Sequence, residues 1–469
     1  MKTIKIEKRI IIVFIIALLI RIAFDFYFQQ FYFGKFVFEY KDSPTYINPI
    51  MNLIYHHQYT IYLNVEDAKY FRPPVYPTFL GIIYLIFGKE FFDYGVAIFQ
   101  AFIDSFSAVL VYLIINKIFN NSKLALISAL IYATYPFVII WNPISYTEIL
   151  QIFLMFLLIW ITISKFNSFF KYFLQGLLIT LLTLTKQYMG LLILIPIITY
   201  LLDKNLPFFN RIKVILIVIL SFSFTMSPWV LRNYIVSGGK IIILKGKSTG
   251  LPIYGRDFEA FEKFANLFNQ NITPIWDDLS FKDRILLGDK HKEFVSKHKK
   301  EIEIAFHLAY KCGPSFLNRR GEKLPKNQLC ENQVINNFQK LTKEFWQEVP
   351  LYEALETRFE SFMKIFTKTN IVNKKIKFSK TDILKRLLFI YRIMLIILGI
   401  VSMLYLIFFV EHKYKNIIIA IFITGWSFYI FFSFVIVHTE IRYLLVPDLL
   451  FSIFAPYIIF QFRKKHEKN

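Results

Sequence analysis

Cysteine is nearly missing from this 469-residue chain, and the two that occur, Cys312 and Cys330, show no CxxC or His/Cys spacing of a zinc site. Acidic residues are also few, 33 against 55 Lys and Arg, which leaves a formal net charge of +22. Charged residues of either sign make up only 19% of the chain, too few for a solvated globule when 56% is hydrophobic and the mean hydropathy is +0.47. Glycine and proline number only 16 and 17, and no low-complexity linker or fixed-period repeat is present. Nor is there the ten-residue apolar/polar alternation of an outer-membrane barrel.

What is present is a series of apolar runs of roughly 17 to 25 residues, long enough to cross a hydrocarbon core of about 30 Å as helices. The sequence predicts an all-α polytopic membrane protein with spans near residues 10–28, 93–117, 122–140, 148–164, 168–184, 188–203, 211–229, 386–410, 416–436 and 443–461. The first run is too long for a signal peptide and lacks a small-residue cleavage site, so it is read as a retained span. With ten spans, the loops carrying Lys117 and Lys123, Lys165 and Lys171, Lys204 with Arg211 and Lys213, and Lys413 with Lys415 fall on one side. The positive-inside rule makes that side cytoplasmic, together with both termini, in a cell inner (plasma) membrane. The same rule assigns the basic excess to loops and lipid headgroups, so no nucleic-acid partner is expected. The short stretch "RPPVYPTFLGIIYLIFG", residues 72–88, would invert every later loop if it crossed, and is therefore predicted to be a re-entrant or surface helix on the outer face.

The chain divides into three regions. Residues 1–240 form an N-terminal transmembrane module with a first outer loop at 29–92, residues 241–385 a mainly helical extracytoplasmic domain, and residues 386–469 the C-terminal helices and tail. Cys312 and Cys330 stand on the oxidising side, where either a disulfide or two buried thiols fits the sequence.

Ionisable groups at membrane depth are costly and mark functional sites. Asp42, Arg72, Glu148, Lys186, Arg232 with Asn233, and His438, Glu440 and Arg442 all fall at outer ends of spans or in outer loops. Each has a plainer reading. The arginines could be interfacial anchors, Glu148 and Asp42 could serve helix starts, and Arg21 and Asp25, four apart on the first span, should pair as a structural contact. Lys186 resists dismissal, because an outer-side lysine in a very short loop runs against the orientation rule. Taken jointly, cations suit a phosphate and a facing carboxylate suits a general base, as in transfer of a group from a phosphate lipid to an acceptor hydroxyl or amine. The rival reading, a polytopic transporter or a flippase for lipid-linked sugars, calls for midplane charges and paired interrupted spans in two matching halves, which the sequence does not show; Gln100 and Asp104 inside the second span are a small point for it.

The order Asp42-x-x-x-Tyr46, "RPPVYPTFLG", "YTE" ending at Glu148, "PWVLRNYIVSGG" and "EIRYLLVP" resembles the GT-C glycosyltransferases, most closely the family 39-like branch of protein O-mannosyltransferases and lipid A aminoarabinose transferases. The likeness covers about residues 1–250 and 385–461. It implies a GT-C-like bundle and sugar transfer, usually inverting, from a polyprenyl-phosphate donor to an extracytoplasmic lipid, glycan or protein. By the same resemblance Asp42 is the catalytic base, with Ser43 where many relatives have a second acid, and Glu148 is the second catalytic acidic position. That position holds a divalent metal in some relatives and none in others, so a metal on Asp42 and Glu148 stays open. Arg232, Arg442, Arg72 and Lys186 are assigned to the donor phosphate, with Tyr46, Asn233, Glu440 and Tyr443 in support.

Overall fold

The computed structural model describes residues 8–63, 66–165, 168–239, 255–269, 272–322, 328–367, 381–437 and 440–466, and every regular element among them is helical. Six helices are long and apolar enough to cross a membrane: Lys8–Phe33, Val75–Phe119, Phe208–Val236, Arg386–Phe409, Lys415–Val435 and Ile441–Phe462. The other four expected spans are apolar helices too short to meet that length, namely Ser122–Ala133, Glu148–Ile163, Phe169–Thr185 and Gln187–Leu201. All ten expected spans are thus apolar helices among the described residues, six of them of full crossing length and four shorter. The sequence explains part of their bounds. Ser122–Ala133 stops just ahead of Pro136, since a residue before proline is driven out of the helical region, and Lys186 separates the helix ending at Thr185 from the turn beginning at Gln187.

The stretch read as a surface helix begins at Val75 and runs without a loop into the second span. Its 45 residues would extend about 67 Å if straight, twice a bilayer's apolar thickness. Gly88 breaks the run with a left-handed backbone, φ 68°, that a residue with a Cβ adopts only with strain. Before it Ile82, Leu85 and Ile86 are exposed apolar residues. After it Ala97, Ala101, Asp104 and Ala108 are fully buried, and the helix packs on Lys8–Ala23, Ser122–Ala133 and Glu148–Ile163.

Buried charges in the bundle are paired over long sequence distances. Arg21 does not pair with Asp25: its Nε donates to Asp104 Oδ2 at 2.7 Å, and the Tyr132 hydroxyl donates to the other oxygen. The reason is local, because a π-helical turn at Phe24–Phe28 shifts Asp25 out of the i, i+4 register and towards the Asn142 amide, which donates to it. At the C-terminal end, Arg392 donates to both oxygens of Asp448, at 2.6 and 3.0 Å, and the Tyr429 hydroxyl adds a third bond at 2.7 Å. Gly399 permits the helix of Arg392 to lie close to that of Asp448, since a Cβ there would stand 2.1 Å from the Phe451 carbonyl oxygen.

Residues between the two membrane portions build a second core from Phe261, Phe264, Phe306, Phe316, Phe338 and Phe345, all essentially inaccessible. Cys312 and Cys330 are bridged, with Cα atoms 6.0 Å apart. The helix Glu356–Thr367 joins this core to the spans: Phe362 stacks on Trp426, Arg358 Nε donates to the Phe434 carbonyl, and Arg392 reaches the Ile365 carbonyl at 2.8 Å.

Candidate active site

The site forms where the segment between the first two long helices meets the starts of three helices. Asp42 precedes the Ser43–His56 helix without a side-chain capping bond, Glu148 opens Glu148–Ile163, Lys186 sits between Ser168–Thr185 and the next turn, and Arg442 is in the first turn after Glu440. These positions are separated by up to 400 residues, yet the Arg442 guanidinium donates to Asp42 Oδ2 at 2.9 Å. Arg442 also donates to the Tyr443 hydroxyl at 3.0 Å and has Glu440 Oε2 at 2.7 Å from its Nε. Asp42 keeps 39% of its side chain exposed, against 11% for Arg442, so the carboxylate and not the guanidinium faces open space. Upstream of Glu440, Val437 has φ 52°, a left-handed conformation costly for a β-branched residue. His438 and Thr439 lie outside the described residues.

Lys186 donates to the Tyr46 hydroxyl at 2.6 Å, and its ammonium stands 5.3 and 5.4 Å from the Tyr46 and Tyr443 rings. On its other face Tyr46 receives Arg72, whose guanidinium carbon is 4.0 Å from the ring centre while its Nε donates to Thr45 Oγ1. Burial opposes ionisation of Tyr46, but the charges of Arg72 and Lys186 outweigh it and hold its phenol below the ordinary value.

Glu148 is 1% exposed, and neither of its carboxylate oxygens has a hydrogen-bond partner. It is within electrostatic reach of Lys186 and Arg442, which compensate its charge without touching it. A buried carboxylate that no protein group pairs costs free energy unless water, an ion or a ligand meets it. A divalent ion would need more than these two carboxylates. Among the described residues no group of three or more His, Cys, Asp or Glu side chains could hold one, and the local positive charge is supplied by Arg442, Lys186 and Arg72.

The structure therefore brings Asp42, Tyr46, Arg72, Lys186, Glu440, Arg442 and Tyr443 into one network, with Glu148 beside it. Arg232 and Asn233 lie elsewhere. Arg232 donates to the backbone carbonyls of Lys69 and Tyr59 at 2.9 and 3.3 Å and to Asn233 Oδ1 at 2.7 Å, with Trp229 and Tyr70 against its guanidinium. The Tyr59 hydroxyl donates in turn to the Arg72 carbonyl, so Arg232 reaches the network through the loop backbone. The sequence reading gave no role to Tyr146. Its hydroxyl accepts the Asp42 backbone N–H at 2.9 Å and its ring lies 5.3 Å from the Arg442 guanidinium carbon. Its place two residues before Glu148 in "YTE" was the available signal, obscured by 28 tyrosines in the chain. Gln100 and Asp104, which favoured a transporter, are used up internally: Gln100 binds the Tyr76 hydroxyl and the carbonyls of Asn142 and Ile144.

Residues 71–231 match the family model of dolichyl-phosphate-mannose-protein mannosyltransferases. This segment includes Arg72, Glu148 and Lys186 of the network. The solved structure of the archaeal oligosaccharyltransferase AglB from Archaeoglobus fulgidus, in complex with an inhibitory peptide and a dolichol-phosphate, superposes with a TM-score of 0.53 at 14% identity. The likeness is to GT-C glycosyltransferases. It extends over 98% of this chain but 52% of AglB, so the chain spans about half the length of that GT-C protein. At this identity the superposition establishes the GT-C fold alone. No curated protein matches the chain.

Proposed function

We propose that the protein is a membrane glycosyltransferase that moves a sugar from a polyprenyl-phosphate donor to an extracytoplasmic acceptor, with Asp42 as general base. The observation that carries this reading is the 39% exposed Asp42 carboxylate held 2.9 Å from Arg442, which Tyr443 connects to the Lys186 ammonium 5.4 Å from its ring. Further support comes from the match of residues 71–231 to the mannosyltransferase family, and from the AglB structure, which holds a dolichol-phosphate.

In this mechanism Asp42 takes the proton of an acceptor hydroxyl or amine as that atom forms its bond to the anomeric carbon. The bond from that carbon to the phosphate oxygen breaks, and the electron pair leaves on the polyprenyl phosphate. The positive charges of Arg442, Lys186 and Arg72 in the network stabilise the charge that develops there. A single displacement of this kind inverts the anomeric centre. Tyr146 fixes the backbone of Asp42, and Tyr46 separates Arg72 from Lys186, so the base and the phosphate cations keep their spacing. Glu148 lies within electrostatic reach of both Lys186 and Arg442, and the bond to the Tyr46 hydroxyl orients the Lys186 ammonium. No step passes through a metal ion. The termini and basic loops face the cytoplasm and the network faces outward, as the lysine distribution requires.

The test is transfer in proteoliposomes supplied with polyprenyl-phosphate sugars and envelope acceptors, read by mass spectrometry of the acceptors. Sugar should appear with the native protein and be lost with Asp42→Asn. Full transfer by that variant removes Asp42 from the base role.

A further inference from the structure

At the other end of the bundle, a cavity of about 490 Å³ opens between helix ends. The Glu148–Ile163 helix measures the separation: its 16 residues rise about 24 Å from the carboxylate of the network to Lys165 at the cavity. Lys117 comes from the end of Val75–Phe119, Lys165 follows Glu148–Ile163, and Lys413 precedes Lys415–Ile430. Three chain segments thus bring ammonium groups to one space. The rest of the lining includes the amides of Asn116 and Asn120 and the rings of Trp160 and Tyr414, and none of it is acidic.

Among the described residues none of the three lysines makes an ion pair, although the chain forms ion pairs freely elsewhere. Gathering like charges around a cavity is unfavourable unless an anion joins them. Helix-end stabilisation accounts for only part of the arrangement. Lys117 and Lys165 follow helix C-termini, where a cation is favoured, but Lys413 stands before a helix N-terminus, where it is not. The backbone around it is held in place: the Tyr414 N–H donates to His412 Nδ1 at 3.1 Å, and His412 packs on Phe119. Trp160 and Tyr414 are of the type that settles at headgroup depth.

We propose that this cavity binds a phosphate ester, presented by the headgroup of an anionic phospholipid. Lysines and side-chain amides suit the phosphate oxygens, the aromatic rings suit the glycerol and the first acyl carbons, and the volume suits a headgroup.

The test uses the full chain reconstituted in phosphatidylcholine nanodiscs with and without phosphatidylglycerol, released into detergent, with retained lipid counted by native mass spectrometry. The native protein should retain phosphatidylglycerol, and Lys117→Gln/Lys413→Gln should retain about tenfold less, at roughly 1 kcal/mol or less per lysine. Lys204→Gln/Lys213→Gln, which removes two exposed charges from the same end outside the cavity, should retain the native amount. Equal loss in both double variants reduces the effect to general surface charge and overturns the proposal, as does no loss in either. Should Lys117→Gln/Lys413→Gln fail to fold, the exposed Lys165→Glu gives the same reading. A third arm adds inorganic phosphate or glycerol 3-phosphate to lipid-free detergent protein. Protection by these with no phosphatidylglycerol retained overturns the lipid assignment in favour of a soluble phosphate site.

Discussion

Arginine meets carboxylate in two settings in this protein. Inside the bundle, Arg21 with Asp104 and Arg392 with Asp448 are wholly inaccessible, and both oxygens of each carboxylate are taken by arginine or tyrosine. At the network around Asp42, Arg442 leaves the acid 39% exposed, and Glu148 beside it is buried with neither oxygen hydrogen-bonded within the chain. The first two carboxylates are met by the protein. Those of the second setting are met only in part. The contrast separates acids that hold helices together from those of the proposed site, although composition alone makes them look alike.

Substitutions can push this contrast in both directions. The largest effect is expected from Asp42→Asn, with sugar transfer falling by about 10²- to 10⁴-fold while unfolding free energy changes by less than about 1 kcal/mol; activity in proteoliposomes and denaturation in detergent read the two. Asp448→Ala should do the reverse. It strands Arg392 in the interior and should cost about 3–5 kcal/mol of stability, with transfer per folded molecule unchanged. Glu148→Gln should lower transfer by roughly tenfold, by removing a charge within reach of Lys186 and Arg442, and leave stability equal or raised because a buried charge is removed; a clear loss of stability would place Glu148 with the structural acids. The smallest effect belongs to Arg232→Lys, which keeps the charge but not the two carbonyl bonds. A rise of only a few-fold in donor KM is expected, about 1 kcal/mol, with kcat little altered.

Much of this is legible in the amino-acid order. Long apolar runs fix helices, and Asp42, Glu148, Lys186 and Arg442 stand out only when taken jointly, because each except Lys186 has a structural reason to stand at a span end. What escapes the sequence is partner choice. Arg21 has an acid four residues away, yet it pairs with Asp104, 83 positions on, because a π turn intervenes. Arg232 carries the same charge as Arg442 and ends in loop carbonyls, a difference set by where the loop folds back and not by the local motif. The span expected at 122–140 is overestimated for a related reason. Hydropathy continues through Pro136 where the helix does not, whereas the break at Lys186 falls between two expected spans.

The loop between the first two long helices is fastened at two separate points, its start by Arg442 on Asp42 and its middle by Arg232 on the Tyr59 and Lys69 carbonyls. A strip pinned at both places could lift away from the helices as one piece only if both arginine contacts broke together.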